Sequence, residues 1–171
     1  AEEAARAAVE FPGARCVAVP YFAMPAHPPI PAPPPAGVAF VGGHRHAPNL
    51  DGVTWFAAEV WPPYRTRHPE ARLDVFGDWA TAERPTAPGL GYREGLPDAE
   101  LDAALRSARV GIAPLRFGAG MKRKTLHYLS LGLPVVGTRF AVQGLGDGLG
   151  EVPGVLLAES PEQWTAALER L

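Results

Sequence analysis

GVAFVGGHRHAPNLDGVTWFAAEVWPPYRTRHPEARLDVFG, residues 37–77, opens on an apolar run that ends in paired glycines. Such a run reads as a buried parallel strand. A helix follows from about Asn49, capped by Asn49 or Asp51, with Val53, Phe56, Ala57, Val60 and Tyr64 on one face. Pro62 and Pro63 should kink or restart it, because proline lacks the amide and crowds the preceding turn. RLDVFG (72–77) is a second strand. Strand, helix and strand in this order make a βαβ unit, which implies parallel pairing.

Working outward, the alternation continues. A polar, proline-broken stretch leads to a weaker strand around 90–92. Asp98 begins a helix with Leu101, Leu105 and Ala108 on one stripe. ARVGIAPL (108–115) is a fourth strand, 121–131 a helix expected to turn Leu126 and Leu129 inward, and LPVVGT (133–138) a fifth strand. A short strand at 155–157 precedes a helix with Trp164, Leu168 and Leu171 on one side. The fold class is therefore α/β: a Rossmann-like, doubly wound parallel sheet, whose ligands bind beyond the carboxyl ends of the strands. The loops that matter are then 42–49, 77–80, 95–98, 114–124 and 138–147.

Upstream, residues 1–10 read as the tail of an alanine-rich helix stopped at Pro12-Gly13, and RCVAVPYF (15–22) as a short strand. Seven of the eleven residues from 25 to 35 are proline, which favours an extended, semi-rigid spacer. The chain divides accordingly into 1–24, the end of an earlier domain or a hinge, a linker at 25–36, and a domain at 37–171.

The composition narrows the class. With 171 residues, 47% of them apolar and 20% charged, the chain suits one globular α/β domain. A formal charge of −2 provides no basic field for nucleic acid. No run approaches the roughly 20 apolar residues of a membrane helix. The acidic start lacks the form of a secretory signal. The single cysteine, Cys16, fits a reducing, cytoplasmic setting. Familiar site motifs fail. Gly118 and Gly120 are followed five residues on by Arg123 rather than glycine, Lys124-Thr125 is preceded by Arg123 rather than the glycine of a P-loop, and no Gly-x-Ser-x-Gly occurs. His44 and His46 have no partners at metal spacing and read as solvated loop side chains.

The chemistry concentrates in PLRFGAGMKRKTLHYLSLGLPVVGT (114–138). A strand ends at Pro114, a glycine-containing loop follows, and a helix starts near 120–121. Exposed amides at a helix start and the helix dipole both favour an anion there. Arg116, Lys122, Arg123 and Lys124 surround that point, while Gly118 and Gly120 let backbone approach a ligand closely. Cations are electrostatically misplaced at a helix N-terminus unless an anion joins them, so the set suits a diphosphate. A merely solvated helix start is the alternative.

This stretch resembles the donor-site signature of retaining, group 1 glycosyltransferases with the GT-B fold. They share a proline-leucine turn, a Gly-x-Gly loop, a basic residue, and then Lys-x-Leu-Glu-Ala-Met-Ala-x-Gly-x-Pro-Val-Val. Here the run is Gly118-Ala119-Gly120, then Lys124-Thr125-Leu126-His127 through Gly132-Leu133-Pro134-Val135-Val136. Residues 40–77 and 95–116 are similar to the family's first βαβ unit and to the segment before the donor loop. The resemblance implies the nucleotide-sugar-binding half of a glycosyltransferase, working on a UDP- or GDP-sugar without metal or cofactor. Arg116, Gly118, Gly120, Lys122, Arg123 and Lys124 would meet the donor diphosphate, with Gly42 and Gly43 beside it. Gly95 and Leu96 would lie near the base. The family's final glutamate, which holds the ribose hydroxyls, is His127, and its earlier acidic position falls on Ala119. Either His127 marks a divergent donor site or nucleotide binding has weakened.

The resemblance also implies that acceptor binding lies on a missing N-terminal domain, so this polypeptide should bind a nucleotide sugar weakly and not turn it over alone. Peripheral membrane contact would come through that missing half. A non-catalytic Rossmann-like interaction module with a decayed nucleotide site is the competing expectation. A GT-B-fold epimerase would need acid–base residues with no counterpart here.

Overall fold

Valine, isoleucine, leucine and phenylalanine fill the short strands, and six of these strands form one parallel sheet in a computed structural model of the chain. The structure describes residues 2–15, 37–118, 122–145 and 152–171. The expected linker at 25–36 and nearly all of the expected strand at 15–22 lie outside the described residues. The alanine-rich start forms helix α1 (Glu2–Glu10), followed by a turn at Pro12-Gly13.

The sheet comprises β1 (Gly37–Val41), β2 (Arg72–Phe76), β3 (Leu90–Arg93), β4 (Val110–Ala113), β5 (Val135–Gly137) and β6 (Val155–Leu157). Its order is β3-β2-β1-β4-β5-β6, so successive strands run one way from β1 and then the other. The reversal falls between β1 and β4, where Val38 pairs with Val110 and Ala39 with Gly111. Loops leaving the two strands diverge there and open a crevice, the usual ligand position in this architecture.

Helices cover both faces because adjacent strand residues point oppositely. Val38 and Phe40 face a core built with α2 (Ala47–Trp55), α3 (Trp61–Arg67) and α7 (Pro161–Arg170). Ala39 faces the other core, with α4 (Asp98–Arg106), α5 (Arg123–Ser130) and α6 (Arg139–Val142). The expected inward stripe of Val53, Phe56, Ala57, Val60 and Tyr64 is buried. A π-helical turn over Phe56–Val60 joins α2 to α3, with the Trp61 amide bonded to Phe56 O. The wider turn accommodates Pro62 and Pro63, whose rings would crowd carbonyls four residues back in a continuous α-helix.

Two local expectations are corrected. The α2 helix starts at Ala47 with His46 at the cap, ahead of Asn49 and Asp51, because Pro48 is preorganised for a first turn that needs no amide from it. On α5 the fully buried side chains are Thr125 and Tyr128, while Leu126 and Leu129 are half-buried. Gly111 on β4 makes room for the Tyr128 ring, since a Cβ there would lie 2.7 Å from it.

The Tyr128 hydroxyl accepts from the Val41 amide at 2.7 Å and lies 3.3 Å from Ile112 O, fastening α5 across the divergence of β1 and β4. Burial pushes its phenol above the usual range. Tyr128→Phe keeps the ring but strips the Val41 amide of its partner. It should lower stability by about 1–3 kcal/mol, read as a shifted urea midpoint with an unchanged slope.

Candidate active site

The crevice at the strand-order reversal is a cleft of about 680 Å³. Its floor and walls come from the loop after β1, the loop after β4, the start of α5 and one side of α4. The β1 loop is held in place from below. Gly42 has a φ of 147°, and a Cβ on it would come 2.5 Å from the Asn49 amide nitrogen. Its N–H donates to Phe76 O at 2.8 Å, and its carbonyl accepts from the buried Trp79 indole at 2.7 Å. His44 is half-buried rather than simply solvated. Its Nδ1 lies 2.7 Å from Asp78 O and its ring packs beside Trp79.

Asn49 joins this loop to the opposite wall. It is only 8% exposed, its amide donates to Gly43 O at 3.0 Å, and its Oδ1 accepts from Lys124 Nζ at 2.9 Å. Lys124 Nζ also stands 3.5 Å from the centroid of the buried Phe40 ring. A π face and an amide oxygen both favour an ammonium, but neither matches the hydration lost. Burial accordingly holds the Lys124 amine well below the ordinary lysine range.

The first turn of α5 lacks a side-chain cap and has no acidic residue. Lys122 occupies the cap position, 5% exposed, with Nζ 3.5 Å from Gly118 O, and Arg123 is exposed. One turn further along, His127 Nε2 lies 2.7 Å from Asp102 Oδ1 on α4, and both residues line the cleft. The arrangement thus sets Lys122, Arg123 and Lys124 at a helix start that lacks a side-chain cap, with an acid–imidazole pair one turn further along α5 on the same cleft. Phe117, 46% exposed, and Pro48 form an apolar lip.

Of the residues proposed from sequence, Gly42, Gly118, Lys122, Arg123, Lys124 and His127 are brought together on this cleft. Gly43 contributes its carbonyl to Asn49 but does not line the cleft, nor do Gly95 and Leu96, and Gly120 lies outside the described residues. Arg116 turns away. It forms a two-pronged pair with Asp51 on α2, at 2.8 and 2.5 Å, and lies 5.8 Å from the Trp55 ring. The same contact holds the Asp51 carboxyl below its ordinary range. Sequence reasoning missed Asn49 and Asp102 as site residues. Their partners are 75 and 25 residues distant, and no local pattern signals such pairs. Among the described residues, no group of three His, Cys, Asp or Glu is placed to share a metal ion.

Comparison with known proteins agrees with this architecture. The chain is similar in fold to S. aureus TarM in complex with fondaparinux, α-GlcNAc-glycerol and UDP, with a TM-score of 0.67 at 9% identity, over 99% of this chain and 35% of that one. It is also similar to the lipopolysaccharide outer core galactosyltransferase WaaB, with a TM-score of 0.58 at 14% identity, over 95% of this chain and 48% of that one. A third similar structure, trehalose-6-phosphate from E. coli bound with UDP-2-fluoro glucose, matches at TM-score 0.53 and 16% identity, over 79% and 36%. The chain thus spans half or less of the length of each of these proteins. No curated protein sequence matches it significantly. The family model for group 1 glycosyl transferases matches residues 35–171, and the chain belongs to that family.

Proposed function

We propose that the cleft binds the nucleoside diphosphate of a sugar donor, and that the chain is the donor-side domain of a glycosyltransferase. The observation that carries this reading is the meeting of Lys122, Arg123 and Lys124 with an uncapped helix start at the strand-order reversal. In such a site the cations and helix amides would stabilise the charge that develops on the departing nucleoside diphosphate. UDP and a UDP-sugar in two of the similar structures are consistent with this class of ligand. The acceptor would be held by a second domain facing the cleft, so this polypeptide alone would bind a donor without transferring the sugar. A cytoplasmic setting, where nucleotide sugars are available, suits the single cysteine.

On this reading Gly42 and Gly118 line the diphosphate, and Gly95 and Leu96 reach a base only through movement of their loop. Arg116 joins only after leaving Asp51. That ion pair is the observation favouring the rival reading, an interaction module with a decayed nucleotide site. Isothermal titration with UDP, GDP and their sugar conjugates separates the two. Saturable one-to-one binding supports the donor domain, whereas a folded protein that binds no nucleotide supports the interaction module.

A further inference from the structure

We propose that Lys124 is a reactive amine that condenses with phosphorylated aldehydes entering the cleft. Sixteen residues of the chain are lysine or arginine, and only Lys122 and Lys124 among them are lysine. Both lysine side chains therefore fall at one place, the start of α5 on the cleft. Arginine fills every other cationic position and is no nucleophile, because its guanidinium stays protonated. A lysine amine becomes one when burial removes its proton. Lys124 is placed for that loss. Its Nζ lies 2.9 Å from Asn49 Oδ1 and 3.5 Å from the centroid of the buried Phe40 ring. Among the described residues no carboxylate pairs with it. Burial thus holds this amine well below the ordinary lysine range. An ordinary lysine, by contrast, is neutral in only roughly one molecule in 2,500 at pH 7. The neutral amine donates one N–H to Asn49 Oδ1 and keeps a lone pair for attack. Lys122 and Arg123, at a helix start that lacks a side-chain cap, would hold the phosphate beside it. The lone pair forms a C–N bond while the carbonyl π pair moves to oxygen, which takes a proton from nitrogen. The carbinolamine then expels its hydroxyl with the second nitrogen proton as water, leaving an imine. No oxidant or reductant is consumed. The imine needs only the cleft; its consequence, reversible exclusion of the nucleotide, rests on the donor-site reading.

Treating the full chain with pyridoxal 5′-phosphate at pH 7 tests this, with borohydride to fix the imine and peptide mapping to locate it. One labelled lysine per chain is expected, Lys124, reacting about tenfold or more faster than Nα-acetyl-lysine in the same buffer. Pyridoxal, which lacks the phosphate, should label it about tenfold or more less well, the size of a hydrogen bond to a charged group. Lys124→Arg should lose the label, and Lys122→Arg should keep it on Lys124. In the wild type alone, whether or not the variants fold, a label on Lys122 or spread evenly over both lysines overturns the proposal. So does a reaction no faster than that of Nα-acetyl-lysine, or equal labelling by pyridoxal. UDP and GDP should slow the reaction at Lys124. A label there that neither nucleotide slows keeps the reactive amine and removes the donor reading.

Discussion

Gly52→Ala is expected to destabilise the domain by about 1–3 kcal/mol, although alanine is the better helix former. Gly52 lies in α2, where a Cβ would come 2.3 Å from Pro114 O and 3.0 Å from its carbonyl carbon. The obstacle is backbone, and it cannot rotate aside as a flexible side chain would. Relief requires α2 to move off the loop after β4. That movement displaces two walls of the cleft together, because Asn49 is on α2 and Gly118 follows Pro114. Alanine would regain about 1 kcal/mol of helix propensity, which is too little to offset the overlap. The variant should therefore show a lower urea midpoint and also weaker nucleotide binding when measured well below that midpoint. Wild-type stability would show that α2 and the β4 loop are not in close contact.

Lys124→Ala should weaken binding of UDP or GDP by about ten- to a hundredfold, the range for a charge-assisted hydrogen bond. The site also makes a statement about protons. Burial lowers the Lys124 amine well below the ordinary lysine value of 10.5 in the folded chain, while the unfolded chain keeps the ordinary value. Between the two values the unfolded state binds more protons, so stability rises with pH across that window. A bound diphosphate acts in the opposite sense. It favours the ammonium, so binding takes up a proton and weakens as pH rises through the same window. Titrations at one pH in buffers of different ionisation enthalpy should reveal this uptake for the wild type. In Lys124→Met both the uptake and the stability slope should shrink. Unchanged uptake would assign the proton to another group.

The fold was legible because each strand is a short apolar run and each loop is punctuated by glycine or proline. Residues 37–77 alone define a βαβ unit, and β1, α2, α3 and β2 follow its pattern. Short helix α5 was misread on one point. Leucine content suggested Leu126 and Leu129 as the buried face, but the room left by Gly111 draws in the Tyr128 ring. The cationic helix start could be read from residues 122–124, since adjacency in sequence is enough to place charges together. Their separate fates could not. Arg116 finds Asp51 across 65 residues, and Lys124 finds Asn49 across 75. Such pairs depend on how α2 lies against the β4 loop and the start of α5, and contacts of that kind leave no periodicity in the chain. His127 stood out as a departure from the family pattern, while its partner Asp102 resembled any acid on an exposed helix face.

The central claim is that the crevice between β1 and β4 is the nucleotide site. Amide chemical-shift mapping of the labelled protein during titration with UDP and with GDP tests it most directly. The account predicts that the largest saturable shifts fall on residues 42–49, 115–118 and 122–127, with little change on α3 and α7. Saturable shifts centred on α3 and α7, or a folded protein whose spectrum neither nucleotide alters, would contradict it.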